Sequence, residues 1–476
     1  MYVPELLPFL SFVAAYVSAS TYSASCPEAD TITRDVLIIG GGSSGTYAGI
    51  RLLQKGVSVA VVEKKAVLGG HTDTFHDPVT GQTFDYGVVS FSNITVVQNY
   101  FAYFNISLVP PGDFGVGSAK FANFETDGKI EPVPATIPWS NETDVGLALS
   151  GFAEKLAKLP FLTNGFNDLP GPVPEDLLIP FGDFLDKYQL GGLAYTAFTF
   201  LQGMGNVLSA PTLYVMKYFA EITVQNILGT GPGFLTTKDH NNHELYDAAL
   251  AKFGDNAILS ATVTKIERGE NGVQATVDTP SGMKTIQAKK LLIAIQPKLE
   301  NLQGIGLDLV VEDQNIFKQF NNSFYWDIVI RDSGIPDDVS VDNVNFDAAL
   351  GLPALPGLYN IGRTGLPGLH TAYYSSPSPM TDDEVKADTL DKLSKIVAAN
   401  GFNTSARPQF VGFNNHAPFL LTVSVDDIKG GFYKRLNGLQ GQRNTWWTGA
   451  AWQAQDSSQI WNWTETNVVS QLVASL

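Results

Sequence analysis

Ordered patterning begins at residue 35, where Asp35 gives way to the unbroken apolar run Val36-Leu37-Ile38-Ile39. A short run this rich in β-branched residues predicts a strand buried on both faces, as in parallel sheets. Between residues 44 and 55 the period lengthens. Ala48, Ile50, Leu52 and Leu53 recur at roughly helical spacing, and Gly56 ends the helix. A second β-branched run, Val57 to Val62, returns to strand and closes a βαβ unit.

The middle of the chain reads differently. Residues 119–133 alternate about Asp127-Gly128 and predict a β-hairpin, and helical patterns occupy about 144–158, 190–205 and 211–227. These helices are markedly apolar and aromatic, as plain core or the wall of an apolar pocket would be. From His243 the text changes again, to an amphipathic helix through Gly254, a strand over 256–269, and an antiparallel hairpin. That hairpin starts at Asn271-Gly272, turns at Ser281-Gly282 and ends in the apolar strand Leu291–Ile295. A second mixed region over 300–425 contains the strand-like FYWDIVIRDS at 324–333. The chain closes with the strand TWWTGAAW at 445–452, a polar loop and a helix beginning near Ser458. No repeat, low-complexity run or linker interrupts this order, which predicts two interwoven domains.

Composition narrows the function. A chain of 476 residues, 44% hydrophobic and 16% charged, has ample material for a packed core. Its formal net charge of −17 excludes nucleic acid and anionic membrane as natural partners, because both would repel it. The N-terminus carries an apolar stretch, Leu6 to Val17, before small residues at Ala19-Ser20. It reads as a cleaved secretory signal over residues 1–20, despite Glu5 and the lack of a basic residue ahead of it. No other segment could insert stably in a bilayer. Glycosylation sequons begin at Asn93, Asn105, Asn141, Asn321, Asn403 and Asn462, in keeping with a secreted protein. Cys26 is the sole cysteine, which rules out an intrachain disulfide.

The chemistry sits in the first turn. Gly40, Gly42 and Gly45 follow the strand with GxGxxG spacing, and the acidic Glu63 ends the next strand. Gly40 permits the tight turn, Gly42 lets backbone approach a pyrophosphate, and Gly45 lets helix pack on strand. The helix N-terminus offers unpaired N–H groups to phosphate, and Glu63 can accept from ribose hydroxyls. Gly69-Gly70 follows soon after Glu63, and then Asp85-Tyr86-Gly87. A NAD dehydrogenase would normally enter its second crossover helix here. The extra backbone suits the longer FAD.

At these residues the chain resembles the flavin-dependent amine oxidase superfamily, and within it the fungal beta-cyclopiazonate dehydrogenase branch, related to polyenoic fatty acid isomerase. The matching pieces are DVLIIGGGSSG at 35–45, VVEKKAVLGGHTDT at 61–74, FDYGVVSF at 84–91, VTKIE at 263–267, KKLLIAIQP at 289–297 and TWWTGAAW at 445–452. The resemblance implies an α/β fold: a Rossmann-like FAD-binding domain (30–93, 241–300, 430–476) interleaved with an α+β substrate domain (94–240, 301–429). It implies that Gly40, Gly42, Ser44 and Gly45 hold the FAD pyrophosphate, Glu63 the ribose and Val263 the adenine. Gly70 and His71 would lie along the linker to the flavin, and Gly87, Val88 and Val89 would present backbone to its ring. Gly449, Ala450 and the helix starting near Ser458 and Gln459 would cover the ribityl and pyrophosphate side. His71 stands where the amine oxidases usually have arginine, and no lysine can be assigned beside flavin N5. Lys298, nearest in sequence, follows a different strand.

Other groups carry less. His71 and His76 have no third ligand nearby, so no metal site is expected. His240 and His243 read as a solvated approach to a helix, and Gly229–Gly233 as a plain turn. His416 and the segment His370–Tyr374 are the polar groups best suited to border a flavin pocket, although structural roles suit them too. There is no second glycine-rich nucleotide turn, so reduced flavin would pass electrons to dioxygen or back to the substrate. The expected protein is an FAD-dependent oxidoreductase taking hydride from an apolar small molecule of secondary-metabolite type. A redox-neutral double-bond isomerase of a polyunsaturated lipid and a secreted flavin-binding non-enzyme are the alternatives.

Overall fold

A computed structural model describes residues 30–112 and 119–476; the expected signal segment and Cys26 lie outside them. The run beginning at Asp35 is the second half of the strand Asp30–Ile39. It lies at the centre of a seven-stranded sheet, between the parallel strands Val59–Val62 and Gly282–Ile293. Thr445–Trp447 pairs parallel with the last residues of Gly282–Ile293, and Ala257–Ile258 extends the other edge. Thr262–Gly269 and Gly272–Thr279 form the antiparallel flap read from the Asn-Gly and Ser-Gly turns. The parallel register sets Ile39 beside Val62 and Ile293, and Ile293 beside Trp447. Gly40, Glu63, Ala294 and Thr448 therefore emerge on one rim, the carboxyl edge where open α/β sheets bind ligands.

A second, six-stranded sheet runs Gln409–Asn415, Phe324–Arg331, Leu369–Ser376, Gly357–Arg363, Ser340–Asn343, Ala119–Ala122. The period-2 alternation of Phe324–Arg331 divides its side chains. Trp326, Ile328 and Ile330 enter a core with Val385, Leu393 and Ile396 of the helix Asp382–Ala399. Tyr325, Asp327 and Val329 take the opposite face. The pairings Asp327 with Tyr373 and Val329 with Thr371 put Tyr373 and Thr371 on that face too.

Five expectations need correction. Residues 119–133 are not a full hairpin, because Ala122 and Ile130 share only one bridge and Ala119–Ala122 pairs instead with Ser340–Asn343. The Asp127-Gly128 turn is held against the helix by Asn400, which accepts from the Ile130 N–H and donates to the Gly128 carbonyl. The helix expected over 190–205 is confined to Ala194–Phe200, with Gly203 and Gly205 at positive φ beyond it. The helix expected over 211–227 breaks between Thr212–Tyr218 and Glu221–Ile227, where Phe219 stacks on Phe152 at 5.8 Å. The apolar strand ending the flap stops at Ile293, and TWWTGAAW is strand only through Trp447, turning at Gly449 with φ +119°. No helix among the described residues is long and apolar enough to cross a membrane.

Candidate active site

The first helix, Ser43–Gln54, begins at Gly42 with no side-chain cap and no acidic residue in its first turn. Its leading N–H groups are therefore left for an external anion, at the positive end of the helix dipole. Gly40 has φ +101°, and a Cβ at Gly45 would sit 2.0 Å from the Gly40 carbonyl oxygen. Gly70 closes the turn from above, its α-carbon the nearest atom, at 3.7 Å, to where a Gly42 side chain would begin. The second helix N-terminus at this rim belongs to Ser457–Thr464, capped by Asp456, which accepts from the Gln459 N–H. The Ser43 hydroxyl donates to that of Ser457 at 2.9 Å and accepts from the Trp461 indole N–H, joining the two helix starts. A Cβ on Gly449 would lie 3.6 Å from the Ser44 hydroxyl.

Glu63 is buried at the end of its strand and accepts from the Gly41 and Lys65 N–H groups, at 2.7 and 2.8 Å. The stretch leading to Val263 lies alongside, the Ala261 N–H donating to the Glu63 carbonyl. Val263 itself pairs with Val277 in the flap. The structure thus gathers Gly40, Gly42, Ser44, Gly45, Glu63, Gly70 and Gly449 around one turn, with Ala450 next in the chain. Gln459 sits in the first turn of the C-terminal helix, its side chain directed back to Asp456.

From Gly70 the chain leads through His71 and Asp73 to the far end of the linker. Burial, then the neighbouring His416 and Lys65, holds the His71 imidazole well below its ordinary pKa, so the ring is neutral. A cation stands close by all the same, for Lys65 Nζ donates to the Gly70 carbonyl at 2.9 Å. The Asp73 carbonyl accepts from the Tyr86 and Gly87 N–H groups, which brings Gly87 beside the linker. Asn242 donates to the Val88 carbonyl. Among the described residues, the Val88 and Val89 N–H groups have no backbone acceptor in the chain, as a segment presenting backbone to a ring requires.

Over this end lies the face of the second sheet that carries Asp327. Asp327 is completely buried, and His416 Nε2 is 2.9 Å from its Oδ2 and 3.6 Å from Asp73 Oδ2. One side-chain oxygen or nitrogen from each of Asp73, Asp327 and His416 lies within 4.8 Å of the others. His416 packs against His71 at a ring separation of 4.3 Å. Tyr325 packs on Phe419, parallel to Tyr373 across the strand pair. The Asn414 side chain donates to the Tyr86 hydroxyl beside them. Burial pushes the hydroxyls of Tyr325, Tyr373 and Tyr86 above their ordinary range and the Asp73 carboxyl up to about 6, with repulsion from Asp327 adding to the latter.

The other sequence candidates separate here. His416 joins the site, whereas His370 points to the opposite face, bonded to Ser333 and the Pro336 carbonyl. Of His370–Tyr374, Thr371 and Tyr373 reach the site face. His243 is not solvated, because its Nδ1 meets the Thr72 carbonyl at 2.8 Å and braces the linker; His240 is exposed. Lys298 bonds Asn322. Sequence reasoning missed Asp73, Asp327 and Lys65. An acidic residue inside the apolar strand FYWDIVIR is the mark by which Asp327 could have been found.

These features fit FAD: bare helix N–H groups for the pyrophosphate, a buried acid for the ribose, and an unpaired backbone stretch for the ring. Residues 38–105 match the family model of the NAD(P)-binding Rossmann-like domain. FAD-dependent oxidoreductase oblC of Cochliobolus heterostrophus is 39% identical over 98% of this chain and 99% of its own. Beta-cyclopiazonate dehydrogenase of Aspergillus oryzae is 34% identical over 94% of each. Among solved structures, a CLA-producing fatty acid isomerase from P. acnes superposes with a TM-score of 0.71 at 20% identity, covering 93% of this chain and 98% of that one. Putrescine oxidase bound to putrescine gives 0.65 at 15% identity, covering 93% and 100%. Those two share the fold. The chain belongs to the family of FAD-dependent oxidoreductases that includes beta-cyclopiazonate dehydrogenase, and FAD is its cofactor.

Proposed function

We propose that this oxidoreductase dehydrogenates an apolar small molecule of secondary metabolism, with dioxygen as the final electron acceptor. When bound, FAD supplies hydride acceptance at its N5. The observation that carries the reading is the aromatic wall of Tyr325, Tyr373 and Phe419 above the His71–Gly87 stretch, with tyrosine hydroxyls kept neutral by burial. Such a wall excludes water and holds an apolar ligand by contact area rather than by charge. The names of the relatives, a dehydrogenase among them, agree with it.

The test is anaerobic mixing of the purified holoenzyme with a panel of apolar polycyclic compounds and with linoleic acid. Lasting loss of the flavin's visible absorption, restored by air with release of hydrogen peroxide, is the expected result. A product of unchanged mass, with the flavin again oxidised before air is admitted, would replace dehydrogenation by double-bond isomerisation. No response to any compound would favour a binding protein.

The same reading extends to a secretory route. Of the sequon asparagines, Asn105, Asn141, Asn321, Asn403 and Asn462 are exposed. Secreted protein from a fungal host should lose mass on treatment with an N-glycosidase; an unglycosylated, cell-retained product would refute this.

A further inference from the structure

Where the linker after Gly70 meets the second sheet, the chain buries polar atoms that it does not pair. Both Asp327 oxygens, Asp73 Oδ2 and both His416 ring nitrogens are buried, and none has a hydrogen-bond partner among the described residues. His416 Nε2 is 2.9 Å from Asp327 Oδ2, but off the line a hydrogen bond needs. A buried cluster of unpaired polar groups needs a ligand to satisfy it. FAD and substrate are too large for that part, because these atoms are closed off from the space around them. What satisfies them is small enough to sit among the three side chains: an ion, a water or a proton.

Charge and distance choose between these. A water leaves two buried carboxylates without a counter-charge, whereas a divalent cation cancels both. Lys65, the nearest linker cation, commits its amine to the Gly70 carbonyl. Nε2 stands 2.9 Å from Asp327 Oδ2 and 3.6 Å from Asp73 Oδ2, and one donor atom from each residue lies within 4.8 Å of the others. The point equidistant from the corners of such a triangle is about 2 Å from each, the distance zinc keeps from nitrogen and oxygen ligands. Calcium requires more oxygens, and magnesium holds most of its water, so a closed site with an imidazole suits zinc better than either. We infer that Asp73, Asp327 and His416 hold a divalent cation of zinc's chemistry, which pins the linker to the second sheet. Asp73 carries the linker, because its carbonyl accepts from the Tyr86 and Gly87 N–H groups. Asp327 lies within the strand Phe324–Arg331, and His416 follows Gln409–Asn415. An ion shared by the three fixes the His71–Gly87 stretch against that sheet. The His71 ring, neutral and 4.3 Å from that of His416 between centroids, sets no charge against it. The role is positional, so the inference does not depend on which reaction the enzyme catalyses.

The experiment loads the purified holoprotein with zinc, dialyses it against metal-free buffer and counts the metal in wild type, H416Q and D327N. Wild type should keep one zinc per chain, and both variants should bind it at least ~100-fold more weakly in competition with a chromophoric chelator. At zinc ~100 times the wild-type Kd, the melting temperature of wild type should rise by about 3 °C and that of neither variant should move. X-ray absorption at the zinc edge, read on wild type alone, should show one imidazole nitrogen beside oxygens at about 2.0–2.2 Å, and no sulfur. Wild type that keeps no zinc would overturn the inference and leave a water or a proton among the three side chains. Zinc kept equally by both variants, or a zinc shell without imidazole, would put the ion elsewhere and overturn it too. Should the variants not fold, the zinc shell of wild type decides. A failure of the dehydrogenase reading leaves every one of these readouts unchanged.

Discussion

Lys217 offers a quantitative test of how the chain just after Gly449 and Ala450 is held. It is 2% exposed, on the helix Thr212–Tyr218. Its amine donates to the Leu162 carbonyl at 2.6 Å and to the Gln453 side chain, with the Phe166 ring 5.5 Å away. Gln453 in turn donates to the Thr163 carbonyl. Lys217 thereby ties the turn Pro160–Asn164 to the residues just after Gly449 and Ala450. No carboxylate among the described residues is within ion-pair distance of it, and burial alone brings it from 10.5 down to about 7. The folded state prefers the neutral amine, so between pH 7 and 10.5 the unfolded chain binds the extra proton. Stability from this group rises with pH across that window, at up to ~1.4 kcal/mol per pH unit, and the full penalty applies below pH 7. Lys217→Met removes the titration and leaves two acceptors unpaired, a cost of ~1–3 kcal/mol each that does not vary with pH. Urea unfolding of both holoproteins should therefore show the stability of wild type relative to K217M rising by ~2 kcal/mol from pH 7.5 to pH 9. A gap equal at both pH values within ~0.5 kcal/mol would mean that the folded protein carries Lys217 charged, and the reasoning would be wrong.

Two further predictions concern the nucleotide turn. Gly45→Ala forces a methyl to 2.0 Å from the Gly40 carbonyl oxygen, so helix and strand must separate. The expected loss is ~3 kcal/mol or more, with a fall in flavin-to-protein absorbance ratio, and an unchanged urea midpoint would contradict it. Glu63→Ala strips the Gly41 and Lys65 N–H groups of their acceptor, and with them the acid expected to meet the ribose. FAD binding, followed by the recovery of flavin fluorescence on release, should weaken by at least ~10-fold, and an unchanged Kd would refute the ribose assignment.

The nucleotide half of the molecule was legible because its determinants are local. Strand, glycine turn, helix, strand and acid occupy Asp35 to Glu63, and each carries its own cue of period, φ or charge. The flap was legible for the same reason, Asn271-Gly272 and Ser281-Gly282 being turn residues that fix a register between neighbours. The apolar helices failed where tertiary contact overrode propensity. Phe219 leaves helical geometry against Phe152, and beyond Phe200 the chain turns through Gly203, at positive φ and packed so closely on Phe419 that no side chain would fit. In the segment 119–133, an Asp-Gly turn looks like a hairpin until Asn400, far along the chain, takes up its backbone groups.

The buried cluster beside the linker was hidden for a deeper reason. Phosphate is held by backbone, and backbone donors are announced by glycine; this cluster is assembled from side chains of separate elements. Asp73 follows the linker, Asp327 sits mid-strand in an apolar run, and His416 begins the loop after Gln409–Asn415. Only the register that pairs Asp327 with Tyr373 on one side and Asn414 on the other brings Asp327 and His416 to Asp73. His71 shows how the two halves connect. An arginine there would set a permanent cation against the His416 ring, whose centroid is 4.3 Å from that of His71. The His71 ring, held neutral by burial, avoids that charge, while Lys65, bonded to the Gly70 carbonyl, supplies a positive charge on the linker.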